Sequence, residues 1–254
     1  QYKYPSLDVR PYFKRNYLYG EAMTHILGYV GRINDRDVER LKKEEKFANY
    51  SGSTDMGKLG IERYYEEQLH GTTGFEEVEI NNRGKVIRKL REQPATAGKS
   101  IHLTIDLALQ RYIMSLLSGQ KGAVVVLDPK DNSVLAMVST PSYDNNLFVD
   151  GISASDYKRL LNDPARPLYS RATQGVYPPA STVKPFVAVA ALTEGVITPH
   201  TTIFDPGYWM LPNSTKRFRD WKKSGHGYTD LNKAITESSD TFFYQTAFNL
   251  GIDR

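Results

Sequence analysis

No cysteine occurs among the 254 residues. Its absence excludes a disulfide, a thiol nucleophile and any thiolate metal site within this sequence. No apolar run approaches the roughly 20 residues that cross a bilayer as a helix, and no signal peptide is visible at Gln1. Charge of one sign is also lacking. Lys and Arg number 33 against 29 Asp and Glu, and a net charge of +4 is too mild and too evenly spread to point to nucleic acid. No repeat recurs at a fixed period. What remains is an ordinary globular composition, 40% hydrophobic and 24% charged, long enough for one large domain or two modest ones.

Residues 1–33 are rich in Tyr and are punctuated by Pro5, Pro11, Gly20, Gly28 and Gly31. Ile26, Leu27, Tyr29, Val30 and Ile33 predict a short strand closing this stretch. Asn34 or Asp35 can cap a helix over 35–46, whose alternating charges read as a solvated face. Residues 57–71 read as a helix, with Leu59, Ile61, Tyr65 and Leu69 on one side and Gly71 ending it. Phe75, Val78 and Ile80, then Val86 and Ile87, flank Asn81-Asn82-Arg83-Gly84, a hairpin signal. Residues 91–100 form a turn-rich linker. The predicted boundary lies near residue 97, between an extended polar module (1–97) and a core-bearing one (98–254).

Beyond the linker, Ile101, Leu103 and Ile105 alternate as a strand, and Asp106 can cap a helix carrying Leu107, Leu109, Ile113, Met114, Leu116 and Leu117. Gly122–Asp128 and Ser133–Ser139 read as two strands around Pro129-Lys130-Asp131-Asn132. The near-continuous apolar run of the first predicts a central, covered strand. Strand, helix and hairpin in succession indicate an α+β arrangement, an antiparallel sheet packed against helices. One short helix is expected near 155–161.

The chemistry centres on Val176–Leu192. Pro178 and Pro179 stiffen the approach, since each fixes φ and neither donates an N–H. Ser181 then falls near a helix N-terminus, and Phe186, Val187, Val189, Ala190 and Ala191 predict a helix buried on most sides and stopped by Gly195. Ser181 and Lys184 stand three residues apart, so on a helix they share one face. A serine hydroxyl becomes a nucleophile when a neighbouring base takes its proton, and a buried lysine can be that base. Alone, the pair reads as an N-cap and a surface charge. A last helix is predicted over 231–250, interrupted by Glu237-Ser238-Ser239-Asp240-Thr241. Polar residues there need partners. Ser238 and Asp240 either meet Ser181 and Lys184 or lie at a break between two helices.

Ser181-Thr-Val-Lys184 followed by Ser238-Ser-Asp240 resembles the S-x-x-K and second motifs of the penicillin-binding transpeptidases and serine β-lactamases. Leu59–Gly71, Asn82–Ile87, Leu103–Leu107, Ser139–Tyr143 and Gln174–Pro185 are similar to the class B penicillin-binding proteins of rod-shaped Gram-negative bacteria, and the likeness runs over essentially the whole chain. The resemblance implies a penicillin-binding/serine β-lactamase-like domain from residue 98, ending before the third motif, K-T/S-G. It implies a pedestal, or dimerisation-type, module over 1–97, and a membrane anchor ahead of it.

The implied activity is D,D-transpeptidation of peptidoglycan stem peptides during lateral wall elongation, with inhibition by β-lactams. In it Ser181 is the acylated nucleophile, Lys184 its base and Ser238 a proton-shuttling hydroxyl. Asp240 stands where many relatives have Asn, and a carboxylate near Lys184 favours the charged lysine, against a base role. Implied partners are a SEDS-type glycosyltransferase and the rod-complex scaffold, at the periplasmic face of the inner membrane. A serine β-lactamase or penicillin sensor shares the first motif, and a mainly scaffolding role is the reading from another class.

No cofactor is required by this chemistry. Asp205, Asp220 and His226 nevertheless lie between the motifs, and some close relatives carry Cys where this chain has Ser239. Two carboxylates, an imidazole and a thiolate suit tetrahedral zinc. Here Ser239 or water would fill the fourth position; otherwise the three residues form a hydrogen-bonded loop.

Overall fold

The computed structural model describes residues 14–251. The start of the Tyr-rich stretch, with Pro5 and Pro11, lies outside the described residues. The chain divides into two compact units, Gln1–Gly175 and Val176–Arg254.

In the first unit, Gly20–Leu27 form helix α1 and only Val30–Arg32 are extended, as strand β1. The strand expected over 26–33 is therefore confined to Val30–Arg32, with Ile26 and Leu27 in the helix. Gly28 ends α1 at positive φ, where a side chain would collide with the Leu59 carbonyl. Helix α2 (Asp35–Lys43) opens on a capping box: Asn34 Oδ1 accepts from the Asp37 N–H at 3.0 Å, and Asp37 Oδ2 from the Asn34 N–H at 3.1 Å.

Next come α3 (Phe47–Tyr50), β2 (Asp55–Gly57), α4 (Gly60–Tyr64) and α5 (Glu66–His70). The helix expected over 57–71 is thus the end of a strand plus two short helices. Gly57 is held in β2 by its pairing with Val30 and by the Glu66 carboxylate, which accepts its N–H at 2.8 Å. Leu41, Tyr50 and Met56 form the small core here.

Strands β3 (Phe75–Ile80) and β4 (Val86–Gln93) make the expected hairpin. Asn81 Oδ1 braces its turn by accepting from Arg83 N at 2.9 Å and Lys85 N at 3.0 Å. No side chain of either strand is buried.

Asp106 caps helix α6 (Leu107–Leu116), accepting from Leu109 N at 3.0 Å. Residues 101–105 do not form the expected strand. They meet β6 (Val134–Thr140) through the Thr104 hydroxyl to Val134 O, without a ladder. That edge of β6 is taken instead by the buried Gln110 of α6, which accepts from Met137 N and donates to Met137 O. Among the described residues this sheet has two strands, β5 (Gly122–Leu127) and β6, so β5 is not central there. Its outward residues Val125 and Leu127 are exposed, while Ala136 and Val138 of β6 pack on Ile113.

Helices α7 (Ala154–Asn162) and α8 (Arg171–Gln174) complete this unit. The boundary expected near residue 97 lies inside it. Gln110 also donates to Ala22 O, and the Ser142 hydroxyl to Glu21 O, each at 2.8 Å.

In the second unit a 3-10 turn (Ala180–Val183) leads into α9 (Lys184–Thr193). Four three-residue strands follow, β7 (Ile203–Asp205), β8 (Tyr208–Met210), β9 (Arg217–Arg219) and β10 (Gly227–Thr229). They pair antiparallel as β7 with β10 and β8 with β9. The helix expected over 231–250 is two helices, α10 (Leu231–Thr236) and α11 (Asp240–Leu250).

Ala188 and Ala191 of α9, Ala234 of α10, and Phe242 and Phe243 of α11 form the core with Ile197. Helix α9 is not buried on most sides. It turns Ala188 and Ala191 to α11, and Phe186 and Val189 are 76% and 64% exposed, with nothing over them among the described residues. No helix among the described residues is long and apolar enough to cross a membrane.

Candidate active site

The Pro178-Pro179 approach ends on Ala180, a non-glycine residue at φ 50°. That left-handed step delivers Ser181 to the 3-10 turn with its side chain exposed, while Lys184, first residue of α9, is 7% exposed. The nucleophile candidate faces solvent and the base candidate lies beneath it. Across from them, α10 ends and the chain turns through Ser238, also left-handed at φ 55°. Single left-handed residues of this kind persist only where the surroundings hold them.

The two motifs meet. The Lys184 ammonium commits three N–H groups: to Ser238 O at 2.7 Å, Ser238 Oγ at 3.0 Å and Asp240 Oδ1 at 2.6 Å. Ser238 Oγ in turn donates to Ser181 Oγ at 2.9 Å. The path from lysine to nucleophile therefore runs through the Ser238 hydroxyl. The Phe243 ring, 5.7 Å from the ammonium nitrogen, closes the buried side. Asp240 points into the site and pairs with Lys184, which answers where the second-motif carboxylate lies.

Beneath the second motif is a buried polar cluster. His226 Nδ1 lies 2.7 Å from Asp205 Oδ2 and 3.7 Å from Asp220 Oδ1. Ser239 Oγ donates to Asp205 Oδ2 at 2.9 Å and approaches Asp220 Oδ2 at 3.3 Å. Burial pushes the Asp205 pKa up, but hydrogen bonds from His226, the Gly207 N–H and Ser239 outweigh it and hold the carboxyl below the ordinary range.

The strands can bring these groups together because Gly207 and Gly225 stand backbone to backbone at positive φ. A β-carbon on either would strike main-chain atoms of the other loop. One ligand atom each from Asp205, Asp220 and His226 converges within 4.8 Å. His226 Nε2 is buried without a hydrogen-bond partner.

Sequence reasoning placed Ser181, Lys184, Ser238 and Asp240 at one site, and Asp205, Asp220, His226 and Ser239 at another; the structure brings each group together. It missed Trp221, whose indole N–H donates to Glu237 O at 3.1 Å while its ring meets His226 edge-on. It also missed Lys233, which donates to His226 O at 2.6 Å. Trp221 is one of only two tryptophans and sits beside Asp220, a composition signal that could have drawn attention to it.

The family models divide the chain between residues 103 and 122, not at the break after Gly175. The family model described as the penicillin binding protein transpeptidase domain matches residues 122–254, and that of the penicillin-binding protein dimerisation domain matches residues 1–103. The chain is 84% identical over 253 residues to a peptidoglycan D,D-transpeptidase MrdA of Haemophilus influenzae, covering 100% of this chain and 39% of that protein. It is 63% identical over 254 residues to the protein of the same name from Escherichia coli strain K12, covering 100% and 40%.

Among solved structures it is similar to Pseudomonas aeruginosa PBP2 in complex with WCK 5153, with a TM-score of 0.83, 46% identity, and coverage of 97% of this chain and 50% of that one. It is also similar to PBP2 in a complex with MreC from Helicobacter pylori, with a TM-score of 0.78, 34% identity, and coverage of 91% and 42%. The chain spans 39% and 40% of the length of these two curated relatives.

Proposed function

Because the chain belongs to the penicillin-binding protein transpeptidase family, we propose that it carries the first two catalytic motifs of a peptidoglycan D,D-transpeptidase working through an acyl-enzyme on Ser181. The observation that carries this reading is the hydrogen-bonded path Lys184–Ser238–Ser181.

The chemistry runs along that path. With Lys184 as the free amine, the Ser181 hydroxyl proton passes to Ser238 Oγ while the Ser238 proton passes to Lys184. Ser181 Oγ then bonds to the carbonyl carbon of the penultimate D-Ala. Collapse of the tetrahedral adduct breaks the peptide C–N bond, and the terminal D-Ala leaves as an amine carrying the proton returned from Lys184. The amine of a neighbouring stem attacks the ester, loses its proton along the same path, and restores the Ser181 hydroxyl as the cross-link forms.

Asp240 Oδ1 accepts from Lys184 at 2.6 Å and holds its amine beside Ser238. The Ser181 N–H supplies one oxyanion donor; such a donor is worth about 3 kcal/mol.

β-Lactams, as mimics of D-Ala-D-Ala, acylate the same oxygen. In the full-length protein, mass spectrometry after a fluorescent penicillin should find the adduct on the peptide containing Ser181, and Ser181→Ala should abolish it. Persistent labelling of that variant defeats the assignment. Rapid turnover of the adduct would favour the serine β-lactamase reading, which the dimerisation-domain match over residues 1–103 counts against.

The relative from Helicobacter pylori was solved in a complex with MreC, and a rod-complex scaffold of that kind is the proposed partner of the 1–97 pedestal. Family resemblance supports a SEDS-type glycosyltransferase as the second partner and the periplasmic face of the inner membrane as the location.

The buried cluster fits a structural divalent ion. Asp205, Asp220 and His226 would hold zinc, with Ser239 or water in the fourth position, and two carboxylates would balance its charge. Such an ion supplies a fixed cross-link between β7, β10 and the second motif. Metal analysis of the purified full-length protein should find one zinc per chain; its absence removes the ion from the site.

A further inference from the structure

Asp220 makes contacts that a metal ligand does not need. Its Oδ2 accepts from two amides at the start of α11, the Asp240 N–H at 2.7 Å and the Thr241 N–H at 2.9 Å, with the Ser239 hydroxyl 3.3 Å away. Its Oδ1 accepts from Lys222 N at 3.1 Å, and its own N–H is tied to Gly207 O at 2.9 Å. Ser239 takes the next N–H, that of Phe242, at 3.2 Å.

The first amides of a helix have no partner within the helix. Here two buried side chains satisfy three of them, and neither side chain reaches Lys184 or Ser181. A carboxylate at this end is also favoured by the helix dipole. Two adjacent amides bound to one oxygen fix both the height of the first turn and its rotation about the helix axis.

That turn carries the second motif. Asp240 is its first residue, and Ser238 lies two residues before it. Ser238 sits at φ 55°, with its N–H bonded to Ile235 O at 3.3 Å on the α10 side. Ser239 N bonds Ala234 O at 2.9 Å, and the chain then enters the turn that Asp220 grips.

We infer that Asp220 is a positioning residue for the acyl transfer: by gripping the first turn of α11 it sets Ser238 and Asp240 against Lys184, and it does so whether or not a metal ion is bound. This rests on the Ser181 acyl-enzyme reading above. Asp220 touches neither substrate nor the reacting atoms, so its removal acts on the chemical step and not on recognition.

The test uses the full-length protein as wild type, Asp220→Asn and Asp220→Ala. Saturation kinetics with a fluorescent penicillin separate noncovalent affinity from the acylation rate constant, and each protein is measured with and without a zinc chelator. Asn keeps the volume and one acceptor oxygen; Ala keeps neither. The acylation constant should fall about tenfold for Asn and about a hundredfold for Ala, the scale expected of an ångström of misplacement. Affinity should hold, and the gap from wild type should persist when both proteins are chelated.

Wild-type acylation in Asp220→Asn overturns the inference. So does a loss confined to affinity, or a gap that closes under chelation, which would leave Asp220 a metal ligand only. If Ala does not yield folded protein, the isosteric Asn variant decides. Ser181→Ala runs alongside: labelling that survives in it sinks the acyl-enzyme reading itself, separately from the Asp220 comparison.

Discussion

At the scale of single residues, the site joins a solvent-facing hydroxyl to a buried ammonium through one intermediary. Ser238→Ala breaks that link while leaving Lys184 its bonds to Ser238 O and Asp240. Acylation by penicillin should drop by about two to four orders of magnitude, the range for a lost proton-transfer group, and stopped-flow labelling reads it directly.

Ala180 holds a left-handed backbone that costs an alanine about 1–2 kcal/mol, against which glycine loses about 0.5–1 kcal/mol more chain entropy on folding. Ala180→Gly is therefore expected to stabilise by up to about 1 kcal/mol, seen as a higher thermal midpoint; a lower midpoint would show that no strain resides there.

His25 gives a pH signature. Burial lowers its pKa to about 4 from 6.5, partly countered by the Pro141 carbonyl and reinforced by the Arg171 charge. Between those values the unfolded chain binds a proton that the folded chain refuses. This stability is complete above pH 6.5 and is lost as pH falls toward 4, by roughly 3 kcal/mol at most. Urea titrations at pH 7 and pH 4.5 should show that loss in wild type and a shallower one in His25→Gln.

At the scale of elements, the second unit depends on the contact between α9 and α11. Phe242 is fully buried against Ala188 and Ala191, so Phe242→Ala should cost about 3–5 kcal/mol in a denaturant titration. The β3–β4 hairpin is the opposite case. With no buried side chain, its amides should exchange with deuterium well before those of α11.

The same contrast explains what could be read in advance. Caps were legible, because Asn34, Asp106 and the Asn81 turn act on neighbours within four residues. The strand expected at 101–105 was not, because a glutamine from α6 occupies the edge it would have used. Nor was the helix expected over 57–71, since Gly57 is claimed by a partner 27 residues earlier in the chain, Val30. The last helix was half legible: its apolar spacing is real, and the break at 237–239 exists because a distant carboxylate, Asp220, satisfies the amides that a continuous helix would have bonded internally.

At the scale of the whole molecule, the two motif pairs were identifiable as residues while their geometry was not. Spacing placed Lys184 near Ser181 on one helix face, yet the structure joins them through a residue 54 positions beyond the lysine. The carboxylate cluster was readable as donor types between the motifs, but its grip on α11 depends on the paths of β7 and β9 and could not be inferred from composition.

Those paths rest on Gly207 and Gly225, which carry no chemistry and lie outside the Lys184–Ser238–Ser181 path. In a deep mutational scan both should reject nearly every substitution, since any β-carbon meets main chain. The β3–β4 hairpin should accept most. Tolerance to mutation in this protein would then follow how closely the backbone is approached, and a heat map ranked by distance from Ser181 would misplace two of its most constrained positions.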